Sequence, residues 1–230
     1  METQEAAIVA RGLEVHSSRG RVFGPVSFEV EAGTVVAVLG ASGSGKTALL
    51  LALTARMRAS RGSASVHGLD LARNASRVRK LTGLGLVAGV NDFEPGLTVR
   101  QHVSEQRSIV GRARRTERDV LVMAGMKRAG QLRARDLTAE QRVRLGLALA
   151  LVGSPQIVAV DDLDRDLTAE QIASVGATLR SLASEGLTFL VACLDAGSAG
   201  FADSVVWATE PADTLEEVCA RNGEVARAFA

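Results

Sequence analysis

The sequence predicts an α/β fold with a mostly parallel core sheet, an amino-terminal antiparallel β region and an inserted helical subdomain. Three observations carry this. Short continuous apolar runs at Val35–Leu39, Leu84–Val87, Ile157–Val160 and Phe189–Cys193 are separated by helical sequence, the pattern of strands buried on both faces of a parallel sheet. The amino-terminal part instead alternates short apolar runs with turn residues. The stretch of about 92–153 has a helical character unlike its flanks.

In chain order, Leu13–Val15 and Val26–Val30 read as strands joined by a turn around Ser17–Gly20. Val35–Leu39 ends at Gly40, and Lys46–Met57 follows with helix formers and no breaker; strand, glycine-rich turn and helix open a βαβ unit. Within the inserted stretch, helices are expected to begin at Thr98, Thr116 and Thr138. Thr98 with Gln101 and Thr138 with Gln141 have capping-box spacing. Ser204–Ala208 is expected to add a strand and Ala212–Arg221 a closing helix. The 230 residues form one domain, with residues 1–91 and 154–230 as its core. Asp-Leu-Thr-Ala-Glu-Gln occurs at 136–141 and again at 166–171; nothing else repeats, so two similarly capped helix starts explain it.

Composition narrows the function classes. A hydrophobic content of 47% supports a sizeable core, and a net charge of +1 gives no general attraction to nucleic acid or membrane. Residues 100–145 are lopsided, with twelve basic and five acidic side chains, 12 − 5 = +7. A solvated helix face explains that excess; a docking surface is the alternative. Cys193 and Cys219 lack metal-ligand spacing and suit reduced thiols. His16, His67 and His102 form no zinc pattern. No apolar run approaches the ~20 residues needed to cross a bilayer. The polar start Met1–Glu5 is unlike a secretory signal.

The chemistry concentrates at Gly40-Ala41-Ser42-Gly43-Ser44-Gly45-Lys46-Thr47, which fits G-x-x-x-x-G-K-[ST]. Wrapping a phosphate demands backbone N–H groups pointing inward, and Gly40, Gly43 and Gly45 supply the conformational freedom. The helix beginning Lys46, Thr47, Ala48 offers its unsatisfied N–H groups to the same anion. Lys46 is placed to reach the β- and γ-phosphates, and the Thr47 hydroxyl to ligate Mg²⁺. The expected fold is therefore a P-loop NTPase, and the expected ligand Mg-ATP. Ile157-Val-Ala-Val-Asp-Asp162 adds two carboxylates at a strand's carboxyl end, where open α/β sheets bind ligands. Asp161 would hold magnesium, and Asp162 would orient or deprotonate water. Acids capping the next helix are the alternative, since Asp164 and Asp166 follow, but the phosphate loop favours the functional role.

These residues resemble the ATP-binding cassette (ABC) ATPases, the nucleotide-binding subunits of ABC transporters. Arg61–Gly68 looks like the family's strand pair after its first helix. Leu97–Val103 looks like the start of its helical subdomain. Leu137–Ala150 lies where the family places its L-S-G-G-Q signature, and Ser154–Asp161 follows at the expected distance. The resemblance implies ATP hydrolysis coupled to a separate membrane-spanning permease chain. It also implies a homo- or heterodimer of such domains, and a cytoplasmic, peripheral location through the partner; no nucleic acid is expected.

The departures are substantial. The family's magnesium-sensing glutamine is matched by Gly89, its signature serine and glycines by Thr138, Ala139 and Glu140, and its catalytic glutamate by Asp162. The aspartate of the following loop is matched by Thr168, and the switch histidine by Leu194, just before Asp195. The adenine-stacking aromatic has His16 as its nearest match, although an exposed turn residue reads equally well. Glu140 would repel a γ-phosphate unless it turns away. Asp162 is one methylene short of glutamate, and misplacement of about 1 Å can cost on the order of 10²-fold in rate. An ATP-binding transporter subunit with slow hydrolysis is the expectation. A nucleotide-dependent scaffold or regulator is the alternative, and a small-molecule kinase a weaker third.

Overall fold

The computed structural model describes residues 6–208 apart from 19, 112, 113 and 195. The expected helix Ala212–Arg221 and Cys219 lie outside the described residues.

The first two strands are longer than their apolar cores suggest. Strands β1 (Ala6–Ser17) and β2 (Gly20–Glu31) form an antiparallel hairpin, joined by β4 (Arg61–Val66) and β5 (Leu69–Asp70) in the order β2-β1-β4-β5. A second sheet holds β3 (Val35–Leu39), β6 (Thr82–Leu84), β7 (Ile157–Val160), β8 (Thr188–Cys193) and β9 (Ser204–Trp207). Its order is β6-β7-β8-β3-β9, and every pair is parallel.

All five residues of β3, all four of β7 and all six of β8 are buried, as expected of central strands in a sheet covered on both sides. Their side chains alternate between two cores. Val36, Val38, Ile157, Ala159, Leu190 and Ala192 face one containing α1 (Lys46–Leu53) and the antiparallel sheet. Val35, Leu39, Val158, Val160, Phe189 and Val191 face the other, which holds α5 (Ala139–Leu151) and α6 (Ala169–Ser184).

Two element boundaries differ from expectation. Helix α1 stops at Leu53 rather than Met57, because Ala55 takes φ +56° and Arg56 N–H turns back to Leu51 O at 2.8 Å, a left-handed C-terminal cap. Strand β6 lies two residues earlier than Leu84–Val87. Beyond it, the Asn91 side chain accepts from Val87 N–H at 2.7 Å and donates to Gly85 O at 2.9 Å, curling the chain off the sheet.

After α2 (Ala75–Leu81) and β6, the chain runs through α3 (Val99–Val110), α4 (Glu117–Met123) and α5 before β7. Thr98, Thr116, Thr138 and Thr168 each cap a helix through a complete capping box, so both copies of the repeated hexapeptide are helix starts. The box at Thr116 uses Asp119 in place of the usual Glu or Gln. Several arginines of the basic stretch are structural. Arg100 pairs with Glu117 at 2.7 Å, Arg107 donates to Arg115 O, Arg142 lies over the Phe93 ring, and Arg144 is buried.

Candidate nucleotide site

Parallel strands β3 and β7 flank β8, so all three deliver their carboxyl ends to one edge of the sheet. The loop after β3 closes on itself there. Ser44 N–H donates to Ala41 O at 3.1 Å, and α1 begins from Gly45 in the left-handed region at φ +88°. Only glycine fits at 45: an added Cβ would stand 2.3 Å from Val22 O and 2.6 Å from Phe23 Cβ of β2. The antiparallel sheet therefore braces the loop from behind. Lys46, 5% exposed, turns its ammonium back onto Gly40 O at 2.5 Å and Ala41 O at 3.1 Å.

The decisive contact spans 114 residues: Thr47 Oγ1 donates to Asp161 Oδ2 at 2.7 Å. The other carboxylate oxygen, Asp161 Oδ1, is buried without a hydrogen-bond partner. Burial pushes the Asp161 carboxyl above its usual range, the Thr47 hydrogen bond opposes that, and the neighbouring Asp162 adds to it. A buried orphan oxygen beside a second hard oxygen donor suits magnesium, which takes one or two protein oxygens and completes its shell with phosphates and water. Thr47 and Asp161 would hold it. Among the described residues no cluster of three His, Cys, Asp or Glu side chains competes for that role.

Asp162 sits in the left-handed region, φ +44°, and its Oδ2 is 3.1 Å from Arg165 Nη1. Asp164 does not cap the following helix, a task that Thr168 performs. Its Oδ2 accepts from Leu194 N–H at 2.7 Å and ties the end of β8 to the loop after β7. A cavity of about 500 Å³ opens above the phosphate loop. Ser42, Gly43, Gly45, Lys46, Thr47, Ala48 and Asp162 line it, so most of the expected site residues converge. Gly40 and Ala41 contribute the carbonyls held by Lys46, and Ser44 the turn.

His16 is not among the lining residues. It lies on β1 opposite Arg21, with Nε2 3.1 Å from Glu14 Oε2, and Val22 from β2 faces the cavity instead. Asp164, Arg165 and Leu194 also line the cavity, and sequence reasoning gave none of the three a role in binding. The only signal for Arg165 was its place three residues after a candidate catalytic acid.

The signature region has its own arrangement. Glu140 turns away from the surface and accepts from Arg144 Nε at 2.8 Å and from Ser174 Oγ at 3.3 Å. Arg144 further donates to Ala124 O, Thr178 Oγ1 and Ser174 Oγ at 3.1, 3.0 and 2.9 Å. Gly89 adopts φ +74° in a turn closed by its N–H on Asp92 Oδ2, and carries no group toward the carboxylates.

Comparison with known proteins agrees with this geometry. The family model for the ABC transporter matches residues 23–164, most of the described chain. The chain belongs to the ABC transporter family. It is 30% identical over 205 residues to the lipoprotein-releasing system ATP-binding protein LolD 1 of Caulobacter vibrioides, covering 84% of this chain and 88% of that one. Among solved structures it is similar to cbiO1 of Clostridium perfringens, part of the ABC transporter complex cbiONQ. That match has a TM-score of 0.78 at 18% identity and covers 97% of this chain and 94% of the other. A dimeric ATP-binding cassette with ADP and Pi bound is similar at TM-score 0.73 and 20% identity, covering 88% and 94% of the two chains. The fold is that of the family's nucleotide-binding domains.

Proposed function

We propose that this ABC-family chain is the ATP-binding subunit of a transporter, holding Mg-ATP at Gly40–Thr47 and acting on a separate membrane-spanning partner. The observation that carries this reading is the Thr47–Asp161 hydrogen bond, which couples the phosphate loop to the carboxylate strand beside an orphaned oxygen. Magnesium, when bound, supplies positive charge between the phosphates and Asp161. Lys46 exchanges its two carbonyls for phosphate oxygens, the loop N–H groups cradle them, and Val22 borders the nucleotide side of the cavity. His16, held by Glu14 outside the cavity lining, is given no contact in this reading.

Hydrolysis is slow in this reading. Asp162 has its carboxylate engaged by Arg165, and no side chain at 89 positions water. Glu140, bound to Arg144 and Ser174, leaves the signature face without the family's pair of glycines. A paired domain with a complete signature and glutamate would support turnover in one of two sites. In this reading the partner holds the chain at the membrane's inner face; no helix among the described residues is long and apolar enough to cross a membrane.

Fluorescent-nucleotide binding tests the reading. The chain is expected to bind ATP, and Lys46→Ala to weaken binding about 10- to 100-fold, the worth of a charge-assisted hydrogen bond of about 1.5–3 kcal/mol. Turnover by the isolated chain should stay below about one per second, the low end of ordinary enzymes. Turnover of several per second without a partner would refute slow hydrolysis. Failure to recover any membrane protein with the tagged chain from its native cells would refute the transporter role. The engaged Asp162 also favours a second reading, a nucleotide-binding regulator without hydrolysis. In that case Asp162→Asn leaves function intact, whereas a hydrolytic subunit loses it.

A further inference from the structure

Arg165 occupies an unusual position for a cation. It follows the two carboxylates at the end of β7, and its backbone N–H donates to Asp162 O at 3.1 Å, closing a tight turn. That turn folds the guanidinium back over Asp162, with Nη1 3.1 Å from Oδ2. Both side chains line the cavity that also holds Lys46, Thr47 and Gly43. Arg165 lines a second, smaller cavity of about 130 Å³ as well, beside Ala88 and Arg142. It thus stands between the phosphate loop and the start of α5, where Arg142 lines the same smaller cavity.

The pair is poorly suited to holding the fold together. The Arg165 side chain is 64% exposed and that of Asp162 38%, so solvent screens the attraction and the contact contributes little to stability. Among the described residues Arg165 makes no other ion pair. A weak, exposed pair at the mouth of a phosphate site is easily exchanged. A terminal phosphate carries more negative charge than one carboxylate, and its oxygens match the planar fork of a guanidinium. A nucleoside diphosphate lacks that terminal group.

We propose that Arg165 is the residue by which this chain distinguishes nucleoside triphosphates from diphosphates, its guanidinium leaving Asp162 for the γ-phosphate when a triphosphate binds. Two consequences follow from the exchange. Asp162 is held by Arg165 until the triphosphate is in place, so its carboxylate becomes available only beside a bound γ-phosphate. The competition between carboxylate and phosphate also lowers triphosphate affinity, so removing the Asp162 charge strengthens binding. The proposal rests on nucleotide binding in the phosphate loop.

Competition binding with a slowly hydrolysed ATP analogue and with ADP, in the presence of magnesium, tests it on the full chain. Arg165→Gln is expected to lose about tenfold in affinity for the analogue, the size of one charge-assisted contact, with ADP affinity unchanged. Asp162→Asn is expected to bind the analogue severalfold more tightly, again without effect on ADP. Equal losses for both nucleotides in Arg165→Gln would reduce Arg165 to a structural role and overturn the proposal. No change for either nucleotide would overturn it too. If the unaltered chain binds neither nucleotide, the phosphate-loop reading itself falls. If it binds both and only the selectivity of the variants fails to change, that reading stands and the role of Arg165 does not.

Discussion

Replacing Arg144 with methionine removes a buried charge that serves four groups at once. The guanidinium bonds Glu140 on its own helix, Ala124 O at the end of α4, and Ser174 and Thr178 on α6. Its side chain is 10% exposed and that of Glu140 25%. Methionine fills much of the volume but leaves the Glu140 carboxylate without its cation and three neutral oxygens without a donor. Breaking one partner out of a buried pair costs about 3–5 kcal/mol. Glu140 retains some solvent, so the lower figure, about 3 kcal/mol, is the better expectation. At roughly 2–4 °C per kcal/mol for a chain of this size, the thermal midpoint should fall by about 6–12 °C. Glu140→Ala should cost less, about 1–2 kcal/mol, because Arg144 keeps three acceptors. The double variant Glu140→Ala/Arg144→Met should then be less destabilised than the sum of the two, since no carboxylate is stranded. Thermal unfolding followed by circular dichroism reads all four proteins. A midpoint for Arg144→Met within about 2 °C of the parent, or strict additivity in the cycle, would refute this account of what holds α5 against α6.

Two further outcomes are expected. Asp119 lies below the usual carboxyl range because the Thr116 side chain and backbone bond it in the α4 capping box. A depressed native value stabilises above the ordinary aspartate pKa, and the stabilisation is lost as pH falls through the native value. The gap in thermal midpoint between the parent and Asp119→Ala should therefore hold from about pH 7 to pH 5 and close in stronger acid; a gap that persists at about pH 2 would contradict it. Gly176 lets α6 lie against Phe201, where an added Cβ would meet Phe201 Cβ at 2.5 Å. Gly176→Ala should destabilise by about 1–3 kcal/mol in urea unfolding; a midpoint unchanged from the parent would contradict it.

What could be read in advance was whatever a few adjacent residues determine. A run such as Val35–Leu39 has only one comfortable place, between two cores, and the loop after it needs glycine wherever the backbone must turn inward. The threonine caps are similarly local, because hydroxyl and amide meet within one turn. The register of β6 was not local. It depends on Asn91 reaching back to Val87 and Gly85, so the strand ends before its apolar run does. The longer reach of β1 and β2 comes from pairing with each other and with β4, which includes residues too polar to advertise a strand. In the site, the meeting of Thr47 with Asp161 could be expected, because phosphate and magnesium chemistry names these residue types. The inward turn of Glu140 needs Ser174, 34 residues away, and the pairing of Arg165 with Asp162 needs a left-handed residue. Neither leaves a mark in local composition.

The ammonium of Lys46 sits on the carbonyls of Gly40 and Ala41. In this arrangement the lysine serves as its own loop's internal template, closing residues 40–46 on themselves. A ligand entering there has no backbone to organise and no cation to recruit from solvent. On the proposed nucleotide reading, its arrival amounts to a substitution at a single ammonium group, in which two peptide oxygens leave and phosphate oxygens take their place. Affinity is then governed by the difference between two sets of similar bonds, which keeps binding reversible even at a site this closely wrapped.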